Sequence, residues 1–98
     1  MKIENGKIEG NLRLDYSLKL NGMISGVLTV ANGGELDLTG MCSSDLVIEK
    51  GGVATIHGMV LGNTVNQGGQ LKVYGSINGL ITTENGETFV DENAKVNR

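Results

Sequence analysis

The sequence predicts an all-β, single-domain right-handed parallel β-helix, a β-solenoid of about five coils of 16–18 residues. The alternative is a left-handed β-helix. Three observations predict this fold. Glycines recur in columns at a nearly fixed period. Apolar residues between them alternate with the strand period of two. The composition, with 16 glycines, no proline and three aromatic residues among 98, suits short strands joined by tight turns.

The repeat begins at once. Asn5-Gly-Lys-Ile-Glu-Gly10 returns 16 residues later as Asn21-Gly-Met-Ile-Ser-Gly26. Glycine pairs follow at Gly33-Gly34, Gly51-Gly52 and Gly68-Gly69, with Asn85-Gly86 17 residues after the last. A second glycine column is Gly22, Gly40, Gly58 and Gly75, and a third is Gly26, Ser44, Gly62 and Gly79. Glycine at these corners permits sharp turns, often with positive φ.

Stacked coil on coil, the alternating residues form apolar columns. Leu18, Leu36, Ala54 and Leu71 make one, and Leu20, Leu38, Ile56 and Val73 another. Ile8, Ile24, Cys42, Val60 and Ile77 make a third. A fourth reads Leu14, Val30, Ile48 and Val65, and a fifth Leu12, Leu28, Leu46 and Leu80. Only a chain that winds once per repeat, with coils about 4.8 Å apart, brings such residues together. Val47 and Ile81 around Thr64 read as a weaker outward column. Residues 1–98 form one domain, the last ten or so an irregular cap, and Phe89 lies outside the inward columns.

The stretches LKLNGMISGVLTVANGGELDLTG and LKVYGSINGLI follow the pattern LxLxGxxxGxLxV, the first continuing into two glycines. This pattern resembles the bactofilins, small bacterial polymer-forming proteins built on a right-handed β-helix. The resemblance runs from about Ile3 to Ile81 and implies self-assembly. NTVNQGGQLKVYGSINGLI is also similar to repeats of autotransporter passenger domains.

Charge and chemistry narrow the function classes. The net charge of −3, with Lys and Arg scattered, argues against nucleic acid as a partner. No apolar run reaches the roughly 20 residues of a membrane span. The chain opens with Met and no apolar leader follows, which predicts a cytoplasmic location, and a single cysteine fits a reducing compartment. One His and one Cys offer no metal site, and no phosphate loop or calcium nonapeptide is present. We expect no cofactor and no catalytic residue. His57 reads as a surface histidine and Cys42 as a core residue.

The candidate interaction residues are Met23, Met41, Met59 and Leu61. Each methionine follows a corner glycine, and alternation with Ile24, Cys42 and Val60 sends it outward; the alternative is that the corner bends and tucks the methionines into the core. An apolar stripe of this kind marks a protein-interaction site. Both ends of a solenoid also expose unpaired edges. The first strand carries little charge, whereas ETFVDENAKVNR is charged enough to blunt the other end. The expected partner is therefore the chain itself, as a homo-oligomer or polymer, or another protein. The expected function is a structural, self-associating scaffold. The alternative is a small binding or inhibitor protein, such as an immunity protein that neutralises a bacterial toxin.

Overall fold

A computed structural model describes residues 1–97 and confirms an all-β parallel solenoid of about six turns. The first turn holds β1 (Lys2–Glu4), β2 (Lys7–Ile8) and β3 (Leu12–Leu14). The second holds β4 (Ser17–Leu20), β5 (Met23–Ile24) and β6 (Leu28–Val30), and the third β7 (Glu35–Leu38), β8 (Met41–Cys42) and β9 (Leu46–Ile48). Next come β10 (Val53–Ile56) and β11 (Met59–Val60). The long strand β12 (Thr64–Val73) then bends around one corner and β13 (Ser76–Val90) around two, at irregular registers, and β14 (Lys95–Asn97) is the last strand described. The last winding, from Glu87 onward, adds a turn that the repeat columns alone do not mark. Its strands pair with β12 and β13 although few of their residues are apolar.

Every strand pair is parallel. One face stacks β1, β4, β7, β10, the end of β12 and the end of β13. A second stacks β2, β5, β8, β11, the start of β13 and β14. The third stacks β3, β6, β9, the start of β12 and the middle of β13.

The first three apolar columns stand as read: Leu18–Leu36–Ala54–Leu71, Leu20–Leu38–Ile56–Val73 and Ile8–Ile24–Cys42–Val60–Ile77. All but Ile8, at the open lower edge, are buried. The other two columns need correction in the upper coils. Ile48 is followed by Asn66, not Val65, and Leu46 is followed by Thr64 and then Ile81, not Leu80. Val65 instead follows Val47 on the outer side, and Leu80 is exposed. Hydrophobicity favours Val65 and Leu80, but strand parity counts from the corner. Leu28 lies two residues past Gly26 and Leu46 two past Ser44, and the same count from Gly62 and Gly79 gives Thr64 and Ile81.

The glycine columns serve two different needs. Gly33, Gly51 and Gly86 have φ between 82° and 84°, where a Cβ is strained. Gly22, Gly40, Gly58 and Gly75 do not have positive φ. There a Cβ would collide with the carbonyl of the coil below, so close approach is what excludes a side chain.

Candidate protein-interaction surfaces

The methionine register is as read: Met23 pairs with Met41 and Met41 with Met59. Ile24, Cys42 and Val60 between them are fully buried, so the methionines point outward. The stripe is graded. Met23 and Met41 are half-buried, while Met59 and Leu61 are 36 % and 37 % exposed. Lys7 lies below the stripe and Ser76 above it.

Across the Gly58 corner from Met59 stands an aromatic ladder. The rings of His57 and Tyr74 stack with centroids 5.1 Å apart and planes 10° from parallel. Tyr74 meets Phe89 at 5.8 Å with a tilted ring. Tyr74 and Phe89 are each at least 40 % exposed. His57 and Tyr74 stand 17 residues apart, one repeat, each just before a corner glycine. Phe89 does not follow this spacing, because it belongs to the outward column above Lys72, in the last winding. Below His57 the same corner is polar: Asn5, Asn21 and Thr39 are linked by side-chain hydrogen bonds, Asn21 donating to Asn5 and Thr39 to Asn21.

Cys42 is a core residue. Its thiol donates to the carbonyls of Ser44 and Asp45 at 3.6 and 3.5 Å, and burial pushes its pKa above the ordinary thiol value. On the outer surface Arg13 of the first turn reaches past the second and grips Glu49 of the third at 2.7 and 2.9 Å. The pair holds the Glu49 carboxyl below the usual range and raises the Arg13 guanidinium.

The lower end exposes the first winding. Lys2 and Glu4 stand beneath Leu18 and Leu20, in columns that are apolar above them. Glu4 accepts a hydrogen bond from the Gly6 N–H at 3.1 Å, and the Lys2 ammonium sits 5.7 Å from the Tyr16 ring centroid. Ile3 between them is 59 % exposed. Ile8 and Leu12 are only partly covered.

The upper end carries polar bonds within its columns, although β14 and the end of β13 are paired on one side only. Asn66 is fully buried, donates to the carbonyls of Gly69 and Glu87 and to the Thr88 hydroxyl, and accepts from the Gly68 and Gly69 N–H groups. Thr83 and Thr88 bond to each other at 2.7 Å. A turn at Asp91–Ala94 brings Val90, Ala94 and Val96 against the core.

A shallow groove follows the glycine corner past Gly51, Gly68 and Gly86; of the residues lining it, only Glu87 is ionisable. No group of three or more metal-ligating side chains occurs among the described residues, and no helix there is long and apolar enough to cross a membrane. No family model matches the chain, nor does any curated protein or solved structure. The geometry leaves unpaired strand edges at both ends and an exposed apolar, aromatic corner toward the upper one.

Proposed function

We propose that the protein is a non-catalytic β-solenoid scaffold that self-associates through its N-terminal end, in the manner that the bactofilin resemblance implies. One observation carries this reading. The first winding leaves β1 unpaired on its lower side, with the Ile8 and Leu12 columns partly open and charges of both signs, Lys2 and Glu4, at its rim, whereas the unpaired strands of the opposite end carry mainly acidic residues. An edge of this kind recruits another strand.

Light scattering coupled to size-exclusion chromatography, from micromolar to millimolar chain, tests the reading. A rising mass supports it. A strict monomer throughout speaks against it, and electron microscopy of the concentrated sample distinguishes filaments from closed oligomers.

A second reading, a cytoplasmic binding protein that blocks another protein as an immunity protein blocks a toxin, is favoured by the exposed corner of Met59, Leu61, Tyr74 and Phe89. Aromatic residues and Met are enriched where proteins meet. Here Met59→Asp should leave the melting temperature nearly unchanged and weaken the complex. Loss of the fold in that variant would show that Met59 packs as core.

A further inference from the structure

We infer that the chain pairs end to end with a second copy of itself through β1, about a two-fold axis passing by Ile3, and that assembly stops at two copies. This rests on the self-association reading, narrows it to one edge and one symmetry, and gives a pair in place of the polymer that the bactofilin resemblance implies.

β1 is the outermost strand of its face and pairs only with β4 above it. It reads Lys2-Ile3-Glu4. Read backwards, the strand exchanges its charges. An antiparallel partner centred on Ile3 therefore sets Lys2 opposite the second copy's Glu4, twice, and puts Ile3 on Ile3. A head-to-tail contact does not do this. The top of the same face carries Thr88, Phe89 and Val90, so Lys2 and Glu4 would meet Thr88 and Val90 without a counter-charge.

The rest of the first winding obeys the same axis. Lys2 to Leu18 is one winding of 16 residues, so the axis that passes Ile3 emerges half a winding later at Asn11. Lys7 then faces the second copy's Asp15, and Glu9 faces its Arg13. All six charged side chains of the winding, Lys2, Glu4, Lys7, Glu9, Arg13 and Asp15, meet the opposite sign. The winding climbs about 4.8 Å per turn, so its end is a ramp with β1 at the tip. The backbone ladder forms at β1, and the pairs on the far side span the wider gap through long side chains. Arg13 keeps Glu49, because a guanidinium has donors to spare.

The opposite end cannot repeat the contact. Glu84, Glu87, Asp91 and Glu92 face Lys95 alone among the described residues of residues 84–97, so two such ends repel. The edges of β14 and of the end of β13 are unpaired there, and this like charge is what keeps a second upper end from adding to them. Growth therefore ends at the dimer.

Inward charges on an edge strand also serve to block strand addition, and that arrangement predicts a monomer. Two measurements on the 98-residue chain decide. Ile3→Cys should form a covalent dimer on mild oxidation, since residues facing across the axis lie within disulfide reach and Cys42 is buried. Lys2→Glu and Glu4→Lys, each checked for its β circular-dichroism spectrum, should each weaken the dimer by about tenfold or more. Mixed in equal amounts, they should form a heterodimer. A strict monomer in the unmodified chain overturns both this inference and the self-association reading. Growth beyond two copies, or a dimer that Ile3→Cys does not cross-link, overturns the two-fold geometry and leaves self-association standing. A dimer indifferent to both charge changes overturns it in the same way.

Discussion

The lower and upper ends of the solenoid terminate the same interior columns by opposite means. Below, the Leu18 and Leu20 columns stop at Lys2 and Glu4, which lie at the rim with their charges near water. Above, the Leu14 column runs into Asn66 and Thr83, and the Leu18 column into Thr88. Those polar groups are bonded to one another and to backbone. The comparison teaches that position along the axis, not column membership, decides what a site tolerates. A residue at an end has one stacked neighbour, and one in the middle has two.

The largest test of this rule compares like positions. Glu4, Leu20 and Leu38 share a column. A carboxylate stands at its foot in the native chain, so Leu38→Asp, two coils up and fully buried, should unfold the protein. Loss of the β circular-dichroism signal at 25 °C would show it, and a folded Leu38→Asp protein would break the column assignment. The glycines give an equal contrast. Gly40→Ala drives a methyl into the Gly22 carbonyl and should abolish folding. Gly6→Ala, at the corresponding corner of the open end, meets only the Glu4 carboxylate at 3.4 Å and should change stability by less than about 0.5 kcal/mol.

A smaller effect belongs to the upper end. Asn66→Ala removes the side chain that satisfies three acceptors and two N–H groups there. It should cost about 1–3 kcal/mol, read as a lower melting temperature. Amide exchange should speed up first in residues 82–97 while β4–β9 keep their protection. Uniform loss of protection would mean that the windings melt as one unit.

Smaller still is the contribution of Cys42. Burial raises its folded pKa, so the neutral thiol favours the fold fully below the unfolded thiol value of about 8.5 and less as pH rises through the raised folded value. Urea melts at pH 7 and pH 10 should show the native chain losing more stability than Cys42→Ala over that interval. Equal losses would assign the alkaline decline to other groups. The least effect is expected from Glu49→Gln. The folded Glu49 pKa is depressed by Arg13, so that pair stabilises above the usual carboxylate range and fades as pH falls through it. Both groups are exposed, so the difference between variant and native chain should be slight in low salt and vanish in 1 M salt.

The sequence by itself determined the winding. Identical phrases one period apart, and apolar residues two apart, leave only stacked parallel strands as a way to bury Leu20, Leu38, Ile56 and Val73 together. It aligned Met23, Met41 and Met59 in one column, but beside a corner glycine alternation left open whether they face out or tuck into the core, and the tertiary structure turned them outward. The tertiary structure decided the rest. It put Thr64 and Asn66 inside and Val65 outside, since backbone register between coils is stronger than the preference of one side chain. It graded the methionine stripe from half-buried to exposed, and brought Phe89 onto the His57–Tyr74 stack by adding a last winding. It set bonded polar groups in the columns of one end and charged side chains at the rim of the other, and left β1 and β14 each paired on one side only. The physical reason is that a repeat encodes contacts between equivalent neighbours, whereas the ends and bends lack an equivalent neighbour and take their form from whatever the stacked backbone places beside them.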